Sequence, residues 1–164
     1  MKKLYIKEKL LSLSGRFSVY DENENEKYKV EGSFLKIPKS FTIYDNSRNE
    51  IATITKNILT FLPKFTLSVN GKDVAVIKKE LSFLKPKYTI EAAGLQIRGN
   101  WWDMRFEIYH QNELVGRVNK EWFKLADTYT VEIIDDYLEP LVISIVVAID
   151  CVRADQSAAS SASV

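Results

Sequence analysis

The chain has 164 residues, of which 46% are hydrophobic and 27% charged, and its net charge is +1. That length fits one domain with a real core, and the composition is ordinary for a globular protein. The near-neutral balance excludes a global electrostatic attraction to nucleic acid, so no nucleic-acid partner is expected; it leaves room for a local basic patch.

The chain opens on Met1-Lys2-Lys3-Leu4-Tyr5-Ile6-Lys7-Glu8-Lys9, where lysines interrupt every apolar stretch, so a secretory signal is not expected. A phrase then recurs six times: an aromatic residue, one spacer, an aliphatic residue. It reads Phe17-Ser18-Val19, Phe41-Thr42-Ile43, Phe65-Thr66-Leu67, Tyr88-Thr89-Ile90, Phe106-Glu107-Ile108 and Tyr129-Thr130-Val131. The aromatics lie 24, 24, 23, 18 and 23 residues apart, a period that marks one repeated supersecondary unit.

The units span 4–20, 28–44, 51–69, 74–90, 95–109 and 114–134. Each holds two runs of β-branched and aromatic residues with period-two alternation, the pattern of two strands. Turn residues separate the units: Asp21 to Asn25, Asp45 to Asn49, Asn70-Gly71, Gly94 and His110 to Asn112. Asn70-Gly71 predicts a type I′ hairpin, which needs positive φ at both central positions. Six hairpins give about twelve antiparallel strands, too many for an open twisted sheet without curling. Closure into a barrel also removes the edges. The expected fold is therefore mainly β, a closed antiparallel barrel.

A barrel of that size has a lumen its own side chains do not fill. The C-terminal segment is the candidate filling. Asp136-Tyr137-Leu138-Glu139 reads as a capping box with Asp136 as N-cap and Glu139 reaching back. Pro140 follows in the first turn, where its missing N–H matters little. From Leu141 to Ile149 the run is apolar on every face, as in a core or membrane helix. It is too short for the roughly 20 residues of a membrane span. A buried thirteenth strand is the alternative, because the run is rich in Val and Ile; the cap and the empty lumen favour a helix. The domain is read as residues 1–153, with 154–164 as a disordered Ser/Ala-rich tail.

Three passages carry a resemblance: Phe41-Thr42-Ile43-Tyr44-Asp45 closing a hairpin, the bend Phe83-Leu84-Lys85-Pro86-Lys87-Tyr88, and the helix end Val147-Ala148-Ile149-Asp150. Over about residues 1–153 the chain resembles the LURP-one-related family. That family shares the tubby C-terminal-like fold, which phospholipid scramblases are also predicted to share. The resemblance implies a closed twelve-stranded barrel threaded by a hydrophobic helix. Tubby-like proteins are known as phosphoinositide binders, so it also implies anionic lipid as a possible ligand. No family lipid-binding motif carries over residue by residue, and fold does not imply function.

The residues offer little for chemistry. His110, the only histidine, stands where other units carry Asp21 or Asp45, and reads as a turn residue rather than a general base. Cys151, the only cysteine, excludes an internal disulfide, fits a reducing, cytoplasmic setting, and cannot build a metal site alone. Asp135-Asp136 read as a helix cap before an acid/base pair. No phosphate-loop, dinucleotide or nucleophile-elbow motif is present. No catalytic residue, metal or cofactor is expected, and an enzyme with an unrecognised site ranks third among the readings. Trp101-Trp102 and Trp122-Phe123 lie in hairpin connections, where one of each pair is expected inward and the other outward. Packing is the simpler account; a membrane-interface role for the outward partner is the sharper one.

Charge says more. In an up-and-down array, turns within units lie at one rim and turns between units at the other. The within-unit segments hold 16 basic and 5 acidic residues, a net of +11, and the between-unit segments 4 basic and 9 acidic, a net of −5. Lys36, Lys39, Lys64, Lys78, Lys79, Lys85 and Lys87 are the candidate ligand-binding residues of a basic rim, joined by Lys56, Lys120 and Lys124. Such a rim attracts anionic lipid or phosphate; charges gathered at turns for solubility are the alternative. The leading reading is a non-enzymatic, cytoplasmic module, peripheral to the membrane, that binds anionic phospholipid headgroups or another phosphate-bearing partner. Its main rival is a structural or protein-interaction protein without lipid binding.

Overall fold

The computed structural model describes residues 1–7, 15–33, 37–121 and 128–162. The first three hairpins are built from β1 (Lys2–Lys7) with β2 (Arg16–Tyr20), β3 (Glu26–Ser33) with β4 (Ser40–Asp45), and β5 (Glu50–Asn57) with β6 (Lys64–Val69). The next three pair β7 (Lys72–Glu80) with β8 (Lys87–Ala92), β9 (Leu95–Asn100) with β10 (Arg105–His110), and β11 (Glu113–Glu121) with β12 (Thr128–Ile133). The helix α1 (Glu139–Ala162) follows a single 3-10 turn, Asp136–Leu138. All twelve strands form one antiparallel sheet in the order β8-β7-β6-β5-β4-β3-β2-β1-β12-β11-β10-β9.

The sheet curls around α1 into a nearly closed barrel. The expected closure is incomplete at one seam. β8 and β9 follow each other through a tight turn at Ala93 and Gly94, yet no ladder joins them. Aromatic rings close the rim end of that seam instead. Tyr88 stacks on Trp102 at 5.3 Å and meets Trp101 edge-on at 6.4 Å. Trp101 and Trp102 are both partly buried against the core, so neither is the freely outward partner expected of a strand pair. They sit in a turn, where period-two alternation does not apply.

The repeated phrase is the inner lining. Its six aromatics, Phe17, Phe41, Phe65, Tyr88, Phe106 and Tyr129, are all buried. They form one layer around the helix near the within-unit rim. The aliphatics two residues on form the next layer. In that same layer the facing strands narrow to Ala52, Ala75 and Gly116, opposite Ile43, Leu67 and Ile108. At Gly116 a side-chain carbon would lie 2.7 Å from Val142, so the helix is in direct contact with the wall there. A β-bulge recurs just after Val19, Ile43, Leu67 and Ile108, the aliphatic of the phrase in four units. Each bulge adds twist where the chain turns into the next hairpin. Asn70 and Gly71 take φ of 49° and 75°, as the type I′ reading requires.

Eleven consecutive residues of α1, Val142–Val152, are buried. That is about three turns enclosed on every side, so the helix, not a thirteenth strand, fills the lumen. Two local details differ from expectation. The cap is Asp135, whose carboxylate accepts from the Tyr137 amide at 3.0 Å. Glu139 does not reach back: it is buried at the between-unit end, where it accepts from the Tyr28 hydroxyl at 2.7 Å and pairs with Lys2. That carboxylate holds the Lys2 ammonium above its usual pKa, and burial, then Glu139, pushes the Tyr28 phenol up. At the other end α1 passes residue 153 without a break and runs through the expected tail to Ala162. Alanine is the strongest helix former, and Asp155 and Gln156 are tied to the barrel wall.

Candidate functional site

Strand alternation sorts the lysines of the within-unit rim into two sets. Lys56, Lys79 and Lys120 lie two residues beyond the inward-facing Ile54, Ile77 and Val118, and therefore face the lumen. Each stands opposite an aromatic anchor in the ladder: Lys56 by Phe65, Lys79 by Tyr88, Lys120 by Tyr129. Their ammonium groups lie 5.8, 6.0 and 6.0 Å from the ring centroids, and Lys39 lies 5.7 Å from the Phe41 ring. Such contacts are worth about 0.5–1 kcal/mol each near a surface.

Three of these lysines, Lys39, Lys56 and Lys79, hold the end of the helix. Lys56 and Lys39 pair with the Asp155 carboxylate at 2.8 and 3.5 Å. Lys79 and the Tyr88 hydroxyl both donate to the Gln156 side-chain oxygen, at 2.8 and 2.9 Å. Burial, then the Asp155 charge, pushes the Tyr88 phenol up to about 12. Arg153 donates to the Tyr129 hydroxyl at 2.8 Å and pairs with Asp150 at 3.2 Å. Lys39 and Lys79, candidate ligand-binding residues from the sequence, are thus engaged in the fold. Cys151 is fully buried, and burial pushes its thiol up.

Lys64, Lys78, Lys85 and Lys87 are different. Lys64 and Lys78 alternate with the inward Phe65 and Ile77, so they face out, and they stand opposite each other in the β6–β7 ladder. Like charges placed so are mutually repulsive. The strain is relieved on one side only: Lys78 pairs with Glu91 at 2.7 Å, while Lys64 has no ion pair among the described residues. Lys87 pairs with Glu80 at 2.7 Å; Lys85, exposed in the β7–β8 bend, has no ion pair among the described residues. The acid partners are themselves on the surface, where such pairs contribute little. The structure therefore gathers four outward lysines on the neighbouring hairpins β5–β6 and β7–β8. Lys36 and Lys124, and the Trp122-Phe123 pair, lie outside the described residues. Beside the bend, Pro86, Lys87, Tyr88, Gly99, Asn100, Trp101 and Trp102 line an open groove of about 390 Å³.

The opposite rim has its own repeated device. Asp21 accepts from the amides of Asn23 and Asn25 at 2.9 Å each, and Asp45 from those of Ser47 and Asn49 at 2.8 Å each. Bonds from Asn25 and Asn49 hold these carboxyls below their usual pKa. Those aspartates stay charged and keep that rim acidic. His110 ends β10 opposite Leu95. Among the described residues, no group of three or more His, Cys, Asp or Glu is placed to hold a metal ion. No described helix is long and apolar enough to cross a membrane.

The sequence missed one feature of the lysine-bearing rim. Ten large apolar side chains are well exposed among the described residues, and seven of them lie on three neighbouring loops there. Ile37 is on the β3–β4 loop, Ile58, Leu59 and Phe61 on β5–β6, and Leu81, Phe83 and Leu84 on β7–β8. The available signal was that these residues fall between strands, where nothing requires burial.

Comparison with known proteins places the architecture. The family model described as LURP-one-related matches residues 2–150. The uncharacterized protein YxjI of Bacillus subtilis (strain 168) is 31% identical over 149 residues, covering 91% of each chain. The X-ray structure of an Arabidopsis thaliana protein superposes with a TM-score of 0.60 at 17% identity, over 92% of this chain and 91% of that one. At that identity the likeness is one of fold. The chain belongs to the LURP-one-related family.

Proposed function

We propose that this member of the LURP-one-related family is a non-enzymatic binding module, and that its outward rim lysines dock it on anionic phospholipid headgroups. The carrying observation is the division of the lysines. Lys39, Lys56 and Lys79 are turned in to the helix end, whereas Lys64, Lys78, Lys85 and Lys87 are turned out on two adjacent hairpins. Two like charges held opposite each other have a structural disadvantage that an anionic ligand removes. The acidic turns at the far rim give the molecule a polarity that orients it toward a negative surface.

Phosphate-bearing headgroups suit this geometry because lysine binds phosphate as a mobile point charge rather than through a fixed fork. The cytoplasmic leaflet carries such lipids, and each lysine near its surface is worth about 1 kcal/mol. The module is then a peripheral protein of that leaflet. Co-sedimentation with vesicles tests this. The protein is expected to pellet with phosphatidylcholine vesicles containing roughly a third phosphatidylserine and not with phosphatidylcholine alone. Pelleting should fade as salt rises from about 0.1 to about 1 M, where the Debye length shrinks from roughly 10 to 3 Å. No pelleting at the lower salt contradicts the reading and favours a protein-interaction module instead.

A further inference from the structure

Resting on that reading, we infer that the β5–β6 and β7–β8 loops are a membrane wedge, whose apolar tips enter the bilayer while the lysines at their bases engage headgroups. Leu59 is 96% exposed, Phe61 94% and Leu84 96%, and Phe83 is fully exposed. Elsewhere among the described residues, Ile37 is exposed on the neighbouring β3–β4 loop of the same rim, and Met1, Ile134 and Tyr137 lie toward the other end of the barrel. An apolar cluster confined to one end marks a surface that is covered in use.

The charges around the tips choose the occupant. Lys64 follows the β5–β6 tip, and Lys85 and Lys87 follow the β7–β8 tip. A ring of cations just behind aromatic and aliphatic tips matches the layering of a leaflet, with phosphate outside and acyl chain inside. No acidic residue lies between Asn57 and Lys64 or between Leu81 and Lys87, so nothing in either tip resists approach to a negative surface. The exposed end of α1, Ser157 to Ala162, leaves by the same rim and carries no charged side chain.

The test separates insertion from electrostatic docking. Phe83→Cys and, separately, Asn46→Cys are labelled with an environment-sensitive dye; buried Cys151 is spared. On mixing with the phosphatidylserine vesicles, the dye at position 83 is expected to brighten and shift to the blue, and the dye at position 46 to stay unchanged. In unlabelled protein, Phe61→Ser with Phe83→Ser is expected to weaken vesicle binding roughly 10- to 100-fold through lost apolar burial, with the melting temperature kept. Wild-type protein that pellets while the dye at 83 stays unchanged and the double variant binds as well overturns the wedge and leaves the headgroup reading intact. Wild-type protein that ignores the vesicles overturns both. Self-association of the wild type that the double variant abolishes, without vesicle binding, assigns the tips to a contact between copies and also overturns the wedge.

Discussion

Ile145→Asp is expected to yield no stably folded protein. Ile145 is 2% exposed and sits within the enclosed part of α1, between neighbours that are wholly buried. No described basic side chain is bound at that level: Lys2 is taken by Glu139 at one end of the helix, and Lys39, Lys56, Lys79 and Arg153 are engaged at the other. An unpaired carboxylate in such a place costs several kcal/mol even after it takes up a proton. A domain has only about 5–15 kcal/mol in hand. Ile145→Ala, which leaves a cavity but no charge, should lose about 2–5 kcal/mol and still fold. Soluble expression and thermal unfolding by circular dichroism check both. A soluble Ile145→Asp protein with an unchanged melting temperature would show that α1 is not the core.

The second large effect falls on binding. Replacing Lys64, Lys78, Lys85 and Lys87 together with Gln should weaken binding to acidic vesicles about a thousandfold, from about 1 kcal/mol for each lysine. Stability should barely move, since the ion pairs lost, to Glu91 and Glu80, are surface pairs worth about 0–1 kcal/mol. Replacing Lys39, Lys56 and Lys79 with Gln should do the reverse. That triple variant loosens the end of α1, by freeing Asp155 of its lysines and leaving Gln156 only the Tyr88 hydroxyl on the barrel wall, and leaves vesicle affinity largely in place. Titration by co-sedimentation, beside urea unfolding of each variant, separates the two. Equal binding by the quadruple variant and the wild type would show that the outward lysines are not the contact.

The repeat made the fold readable. An aromatic and an aliphatic two residues apart, recurring at the hairpin period, state which face of each strand is inward. Eight apolar residues out of nine after Pro140, broken only by Ser144, are too uniform for a half-exposed strand. Alternation also holds the sorting of the lysines within the strands themselves: Lys79 continues Ile77 inward, while Lys78 faces out. The unpaired seam was not readable. Ala93-Gly94 is a good hairpin turn, and whether β8 and β9 meet depends on the twist and stagger summed over all twelve strands. Composition likewise hid the ordered end of α1. A Ser/Ala-rich stretch reads as a tail until Asp155 and Gln156 are seen against lysines from distant hairpins. The capping box misled for a related reason. Glu139 matches the local pattern, but Lys2 and Tyr28, from the other end of the chain, take its carboxylate.

The central claim is that the lysine-bearing, apolar-tipped rim is the end that meets the membrane. Hydrogen–deuterium exchange of the protein with and without phosphatidylserine vesicles tests it most directly. Protection is expected in segments 57–64 and 80–87, and no change in the acidic turns 21–25 and 45–49. Protection of those acidic turns instead, with the two loops unchanged, would contradict the account.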